Sequence, residues 1–205
     1  NEHLLVDGKK MSKSLGNFFT LRDLLSKGHN PIAIRYLLLS ANYRVQLNFT
    51  EEAVKASENA VQRLNDLMIK LKEITNDDEN KNIKKLIDKT KKSFDKAMND
   101  DLNISGALAV VFDFVKEINT LMMENKIGKN NAAEIINLMN DFDKILGVLQ
   151  GKEEKLSPEL KKLIDEREKA RKEKNFKRAD EIRNELKEKR IILEDTKEGV
   201  RWKRV

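Results

Sequence analysis

The chain has 205 residues and a mass of 23.7 kDa, enough for one large domain or two smaller ones with a buried core. Eight Gly and two Pro against 37% charged and 39% apolar residues disfavour closely spaced strands and turns, and the absence of Cys excludes disulfides, thiolate metal sites and cysteine nucleophiles. The net charge of +6 is uneven: from Lys152 to Val205, 19 Lys and Arg face 14 Asp and Glu, so most of the excess lies in the last quarter, where RNA is a natural partner and a solvated helix pair the plain alternative.

A mainly α fold is expected, a helical bundle followed by a small α+β domain. Leu4-Leu5-Val6 reads as a short extended piece, and Gly8 and Gly16 bound a loop holding Lys9, Lys10 and Lys13. Thr20 and Asp23 make a capping box for a short helix closed by Gly28. Asn30 caps a second helix with Pro31 in its first turn, Ile32 to Ser40 carrying the apolar face, and Ala41 to Asn48 as its end. Thr50 caps a long helix with Glu51 and Glu52 at the positive end of the dipole. Helices follow at Ile83–Met98, Ile104–Asn125 and Asn131–Leu149, their Met and Phe residues at helical spacing read as core.

Lys152 to Leu156 reads as a linker and Ser157-Pro158 as a fresh helix start. Two charged helices, Leu160–Lys174 and Phe176–Arg190, precede a β-type run Ile191-Ile192-Leu193, a turn at Thr196–Gly199 and an alternating Val200–Val205, together a small hairpin packed on two helices. The expected domains are 1–49, 50–151 and 152–205. No apolar run reaches the roughly 18 residues of a spanning helix, since Asp113 interrupts Ile104–Val115, so no membrane partner is expected. Asn1 to Lys10 lacks the pattern of a signal peptide, and the first residue is not Met, so the chain is expected to begin within a longer protein. A cytoplasmic setting fits the lack of Cys.

The stretch Lys10-Met11-Ser12-Lys13-Ser14, followed by Leu15-Gly16-Asn17, is the chemically informative one. Two ammonium groups three residues apart can offer point charges to phosphate oxygens, and small hydroxylated residues add donors without bulk. Flanking glycines let such a loop close over an anion and place charge where it develops. Spacing alone also permits an ordinary solvated lysine loop.

Lys-Met-Ser-Lys-Ser is the signature loop of class I aminoacyl-tRNA synthetases, and the surrounding residues narrow the resemblance. His3-Leu4-Leu5-Val6-Asp7-Gly8, Asn17 to Leu25, Ala33 to Ser40, Tyr43-Arg44 and Leu47-Asn48-Phe49-Thr50 resemble the cysteinyl-tRNA synthetase family. Ala107 to Val110, Leu146 to Leu149 and Arg167 to Trp202 are similar to it as well. The resemblance implies ATP-dependent activation of cysteine to cysteinyl-adenylate, with Mg²⁺ accompanying ATP, then transfer to the terminal adenosine of the cysteine tRNA. It makes Lys13 the catalytic lysine, contacting ATP and stabilising the triphosphate as pyrophosphate leaves. Lys10 would assist closure or phosphate binding, and Met11, Ser12 and Ser14 complete the ATP loop. The family's His-Ile-Gly-His motif and its zinc site do not occur among these residues, whose two histidines are His3 and His29. The Zn²⁺ ligands are therefore expected outside this chain, which is expected to be a monomeric C-terminal portion, inactive alone.

The tail resembles the family's anticodon-binding domain. Aromatic rings stack on unpaired bases and Arg with Asp can read base edges, so Arg171, Asp180 and Asp195 are candidate readers, Phe176 a stacking platform and Trp202 a further contact. Phe176 stands where the family commonly has tryptophan, and Arg190 where it has glycine. The plain alternatives are a buried helix contact for Phe176, an Asp180–Arg183 pair at i, i+3 and core closure for Trp202. The bundle from Thr50 to Leu149 is expected to space the loop from the tail. Two other functions fit parts of the pattern. A free-standing tRNA-binding module has no use for the lysine loop, and a ligase joining cysteine to an amino sugar lacks the tail.

Overall fold

The computed structural model describes residues 3–149, 158–173, 175–189, 191–196 and 199–204. They fall into two compact units, Asn1–Gln150 and Gly151–Val205, which are described separately. The linker Lys152–Leu156, Ser157 and Arg190 lie outside the described residues.

The first unit begins with a hairpin of β1 (Leu4–Val6) and β2 (Lys9–Lys10), in which Val6 pairs with Lys9 and Leu5 with Lys10. Asp7 and Gly8 connect them with φ of 50° and 74°, the paired left-handed conformation that a two-residue turn between antiparallel strands requires. Helix α1 (Leu21–Ser26) and helix α2 (Pro31–Ser40) follow, and then β3 (Leu47–Phe49) pairs parallel to β1, Leu5 opposite Asn48. The expected loop at Lys9-Lys10 and the expected helix end at Ala41–Asn48 thus each contain part of a three-stranded sheet, ordered β2-β1-β3. The Asn48 side chain adds to the pairing by accepting from the Gly8 N–H at 2.9 Å.

Four long helices complete the unit: α3 (Glu51–Lys72), α4 (Asn82–Asn99), α5 (Ile104–Met123) and α6 (Lys129–Leu146). Thr50 caps α3 by accepting from the Ala53 N–H at 3.0 Å, and Val54, Val61, Leu64, Leu67 and Leu71 form its buried stripe at helical spacing. Asn103 caps α5 by accepting from the Gly106 N–H at 2.9 Å. Inside the bundle Phe94 stacks on Phe142 at 4.2 Å between centroids, with Phe114, Ile118, Ile135 and Met139 buried around them. Met123 departs from the expectation that the methionines are core: at the last residue of α5 it is 85% exposed.

Helix α6 ends three residues before the expected Leu149. The Asp143 carboxylate accepts from the Val148 and Leu149 N–H groups at 2.6 and 2.7 Å, taking amides that a continuing helix would have bonded to carbonyls. Gly147 carries the turn at φ 62°, and a Cβ there would sit 2.9 Å from Arg35 Nε. That arginine donates from Nε to the Leu146 carbonyl at 2.7 Å, placing a cation at the negative end of the α6 dipole. Ile32, Tyr36 and Leu39 pack against the bundle core, so α2 ties the small sheet to the bundle.

The second unit contains α7 (Pro158–Lys172), α8 (Phe176–Glu188), β4 (Ile191–Thr196) and β5 (Gly199–Arg204). The strands form an antiparallel hairpin with Leu193 opposite Trp202 and Asp195 opposite Val200. Leu160, Ile164, Ile182, Leu186, Ile191 and Leu193 make its core, with Leu163, Val200 and Trp202 packed against them. The period-2 alternation of β5 is thereby explained: Val200 and Trp202 turn to the helices.

Replacing Arg35 by Ala removes a charge-assisted hydrogen bond from the α2–α6 joint, and urea unfolding of the chain is expected to register a loss of about 1–2 kcal/mol. An unchanged midpoint would mean that the joint adds nothing to stability.

Candidate functional site

The lysine loop is organised by its own side chains. Strand β2 delivers Lys10 exposed, and the Met11 N–H donates to the Leu4 carbonyl at 3.1 Å, carrying the ladder one residue beyond the strand. Asn17 then closes the loop: its Oδ1 accepts from the Ser12 N–H at 2.9 Å and its Nδ2 donates to the Lys10 carbonyl at 3.1 Å. Within that clasp the Ser12 hydroxyl accepts from the Leu15 N–H at 3.3 Å and lies 3.3 Å from the Ser14 hydroxyl, while the Gly16 N–H donates to the Lys13 carbonyl at 3.1 Å.

This arrangement separates the roles of the motif residues. Met11 and Ser12 are half-buried, with Ser12 holding backbone; Lys13 and Ser14 are exposed at the loop's outer edge. The Lys13 ammonium rests 5.5 Å from the centroid of the Phe18 ring, a cation–π contact worth about 0.5–1 kcal/mol at an exposed site. Such a weak resting contact leaves the ammonium able to swing to an anion. Asn17 and Phe18 were part of the sequence pattern without an assigned task; an amide side chain flanking a loop is its own signal only once the loop is closed in space.

Behind the loop, Thr20 begins α1 with the expected reciprocal cap. The Thr20 hydroxyl and N–H each donate to Asp23 Oδ2 at 2.7 Å, and the Asp23 N–H donates to the Thr20 hydroxyl at 3.2 Å. The Thr20 hydroxyl, more than its backbone N–H, holds the Asp23 carboxyl below the usual aspartate range. Because the folded value is the lower one, the cap contributes stability above the unfolded value of about 3.9 and loses it as pH falls through the folded value. A similar depression at Asp101 arises from hydrogen bonds donated by Arg44 and Tyr43. Arg44 Nε lies 2.7 Å from Asp101 Oδ2 and the Tyr43 hydroxyl donates to Oδ1 at 2.7 Å, joining the segment before β3 to the turn between α4 and α5.

In the second unit, three of the five tail candidates gather at the α7–α8 corner. Arg171 lies exposed near the end of α7, Phe176 opens α8 and Asp180 follows one turn later on the same face. The Asn175 N–H donates to the Ala170 carbonyl at 2.8 Å and the Asn175 side chain accepts from the Arg178 N–H at 3.2 Å, fixing the corner between them. Phe176 is 61% exposed and is therefore no core contact between the helices. Asp180 makes no ion pair among the described residues; the pairs formed nearby are Arg178 with Glu181 and with Glu166. Trp202 is half-buried against the helix core, and Asp195 is placed in β4 by its backbone pairing with Val200. Arg167 is the one charged residue buried among the described residues, at 4% exposure.

Comparison with known proteins assigns families to three segments. Residues 1–59 match the tRNA synthetases class I (C) catalytic domain, residues 93–150 the DALR domain, and residues 153–202 the cysteinyl-tRNA ligase anticodon binding domain. Among the curated relatives, the cysteine–tRNA ligase of Protochlamydia amoebophila is 45% identical over 205 residues, covering 99% of this chain and 43% of the relative. That of Leptospira interrogans is 43% identical over 215 residues, covering 100% and 45%, and that of Brachyspira hyodysenteriae 45% identical over 212 residues, covering 99% and 44%. The chain spans less than half the length of these relatives.

Asn17→Ala should speed hydrogen exchange of the Ser12 amide about five- to tenfold, the value of one ordinary hydrogen bond. Asn17→Asp keeps the acceptor and should retain that protection. Equal Ser12 exchange in the unaltered chain and the Ala variant would remove the clasp as the loop's organiser.

Proposed function

Because the chain belongs to the cysteinyl-tRNA synthetase family, we propose that it forms the part of a cysteine–tRNA ligase that supplies the mobile ATP loop and reads the anticodon. In the first reaction a carboxylate oxygen of cysteine attacks the α-phosphorus of ATP and the bond to the bridging oxygen breaks. Pyrophosphate leaves with Mg²⁺. In the second, a ribose hydroxyl of the terminal tRNA adenosine takes the cysteinyl group and AMP is released.

The observation that carries this reading is the clasped loop with Lys13 at its edge. Negative charge builds on the departing pyrophosphate, and an ammonium brought to it by loop closure acts on the transition state more than on bound ATP. Lys13, resting against the Phe18 ring, is the group for that task. Lys10, fixed on β2, adds a second charge at the loop's base, while Ser12 and Ser14 maintain its shape. Both lysines are point-charge donors, suited to phosphate oxygens whose positions change during the reaction.

Among the described residues no three His, Cys, Asp or Glu side chains converge as the family's zinc, which selects the cysteine thiol, would require. Lacking the His-Ile-Gly-His motif as well, the 205-residue chain is proposed to be incompetent alone. With cysteine, ATP and Mg²⁺ it should catalyse no exchange of pyrophosphate into ATP; measurable exchange would overturn that part of the proposal.

The tail reads the anticodon through the α7–α8 corner and the hairpin. Phe176 offers an exposed ring to an unpaired base, and Arg171, Asp180 and Asp195 supply donors and acceptors for base edges. Trp202 supports them from the core side of β5. The chain should prefer the cysteine tRNA over the same tRNA with a changed anticodon, and Phe176→Ala should cost about 1–3 kcal/mol of binding to the native one, the worth of one stacked base. Equal affinity for the two tRNAs, measured at two salt concentrations, would overturn anticodon reading by this chain.

A further inference from the structure

The turn between β1 and β2 holds a chemically reactive pair of residues. Asp7 is followed by glycine, as no other aspartate and no asparagine of the chain is, and both Asp7 and Gly8 are exposed. An aspartate side chain that precedes glycine can close on the next backbone nitrogen, because glycine has no Cβ to obstruct a five-membered ring. Nothing lies within 4 Å of the place a Cβ would take at Gly8, so no neighbouring group shields it either.

Two hydrogen bonds to β3 hold the backbone of this turn. The Asp7 N–H donates to the Phe49 carbonyl at 3.1 Å, and the Gly8 N–H donates to Asn48 Oδ1 at 2.9 Å. The first is a main-chain bond that continues the parallel ladder of β1 with β3, in which Val6 pairs with Phe49. The second comes from a side chain and falls on the one atom that ring closure needs. Asparagine is a poor strand residue, and Asn48 is exposed, so it adds nothing to the apolar cluster that Leu47 and Phe49 join from the same strand. Its acceptor at Gly8 is what accounts for an asparagine there.

Ring closure uses the Gly8 nitrogen as a nucleophile. The nitrogen attacks Cγ of Asp7, the N–Cγ bond forms, and the carboxyl hydroxyl leaves as water with the amide proton. The product is a succinimide. Water then adds at one of its two carbonyls: rupture of the N–Cγ bond restores aspartate, whereas rupture of the original peptide bond leaves the chain running through Cγ as isoaspartate. One water leaves and one returns, and no other reactant is consumed. An amide whose proton is held by Asn48 must give up that hydrogen bond before it reacts, so the bond adds its own worth to the barrier.

We propose that Asp7-Gly8 is a site of spontaneous aspartate isomerisation, that Asn48 restrains it by holding the Gly8 N–H, and that the modification releases the base of the lysine loop. Isoaspartate carries one more methylene in the backbone, which does not fit a two-residue turn whose residues both stand in the left-handed region, at φ of 50° and 74°. The pairing of Val6 with Lys9 and Leu5 with Lys10 depends on that turn, and the bond from the Met11 N–H to the Leu4 carbonyl lies just beyond it. None of this depends on what the lysine loop binds.

The full chain, Asn48→Ala and Asn48→Asp are kept at neutral pH, with a urea-unfolded sample alongside. The tryptic peptide ending at Lys9 is then resolved into its aspartate and isoaspartate forms by chromatography and electron-transfer fragmentation. Isoaspartate at residue 7 should accumulate about fivefold faster in Asn48→Ala than in the unaltered chain, the worth of one ordinary hydrogen bond. Asn48→Asp keeps an acceptor and should stay near the unaltered rate. Hydrogen exchange of the Asp7 amide, whose bond to Phe49 reports whether β1 and β3 remain paired, should be the same in all three folded proteins.

Equal isoaspartate rates in the unaltered chain and the Ala variant would overturn the restraint. So would acceleration in the Ala variant matched by an equal rise in Asp7 exchange, which would assign it to opening of the sheet. No isoaspartate in the unfolded sample would overturn the site itself. In the isomerised fraction the Met11 amide should exchange faster than in the unmodified chain, and equal exchange would overturn the release of the loop's base.

Discussion

The lysine loop depends on the packing of α2 against its neighbours. Its supporting sheet has strands of three, two and three residues, too short to persist by their own hydrogen bonds. What holds it is a small apolar cluster in which Leu47 of β3 meets Leu37 of α2 and Val54 of α3, with Phe49, Ala41 and Ala53 around them. Each such side chain contributes about 1.5–3 kcal/mol when fully buried, so a few of them suffice to fix strands this short. From there the constraint passes outward: Arg35 clamps the end of α6, Ser105 donates its hydroxyl hydrogen to the Ser40 carbonyl at 2.9 Å, and Asp101 holds Tyr43 and Arg44. The loop is therefore exposed at its tip and anchored at its base, the arrangement that the proposed closure over phosphate requires.

The same unit puts lysine to two uses, distinguished by surroundings. Lys13 sits lightly on an aromatic ring, where little must be given up before it moves. Lys129 and Lys144 are tied to Asp77 and Asp141 beside α6, and the Asp141 carboxyl is held below its usual range chiefly by the Lys144 hydrogen bond. Ion pairing of the second kind is ordinary surface chemistry with little net stabilisation. The first kind leaves positive charge available to an anion at the loop.

In the second unit the division between core and proposed reader follows the same logic. Alanine and branched aliphatic residues of α7, α8 and β4 close a small core, leaving Phe176 and Asp180 on the outer face of α8. An exposed aromatic ring is an unusual use of a large apolar side chain in so small a fold, since the core gains nothing from it. Trp202 makes the opposite choice, filling the space between the hairpin and the helices.

Much of this protein was legible in its residues. Caps at Thr20, Asn30 and Thr50, the punctuation at Gly28 and the period change at Ile191 locate most elements, because capping and periodicity are local and act within one or two turns. The lysine motif was legible for the same reason, as a contiguous string. The Asp7-Gly8 turn was present as a signal but followed by only two paired residues, and β3 gave none, since a three-residue strand acquires meaning only from a partner some forty residues away. The early stop of α6 was hidden in Asp143, whose carboxylate competes for amides that periodicity assigns to the helix. Only the tertiary structure decided that Asn17 closes the loop and that Phe176 faces outward. Each of these depends on which neighbours are absent or present across space, and charge totals and sequence spacing average over that information.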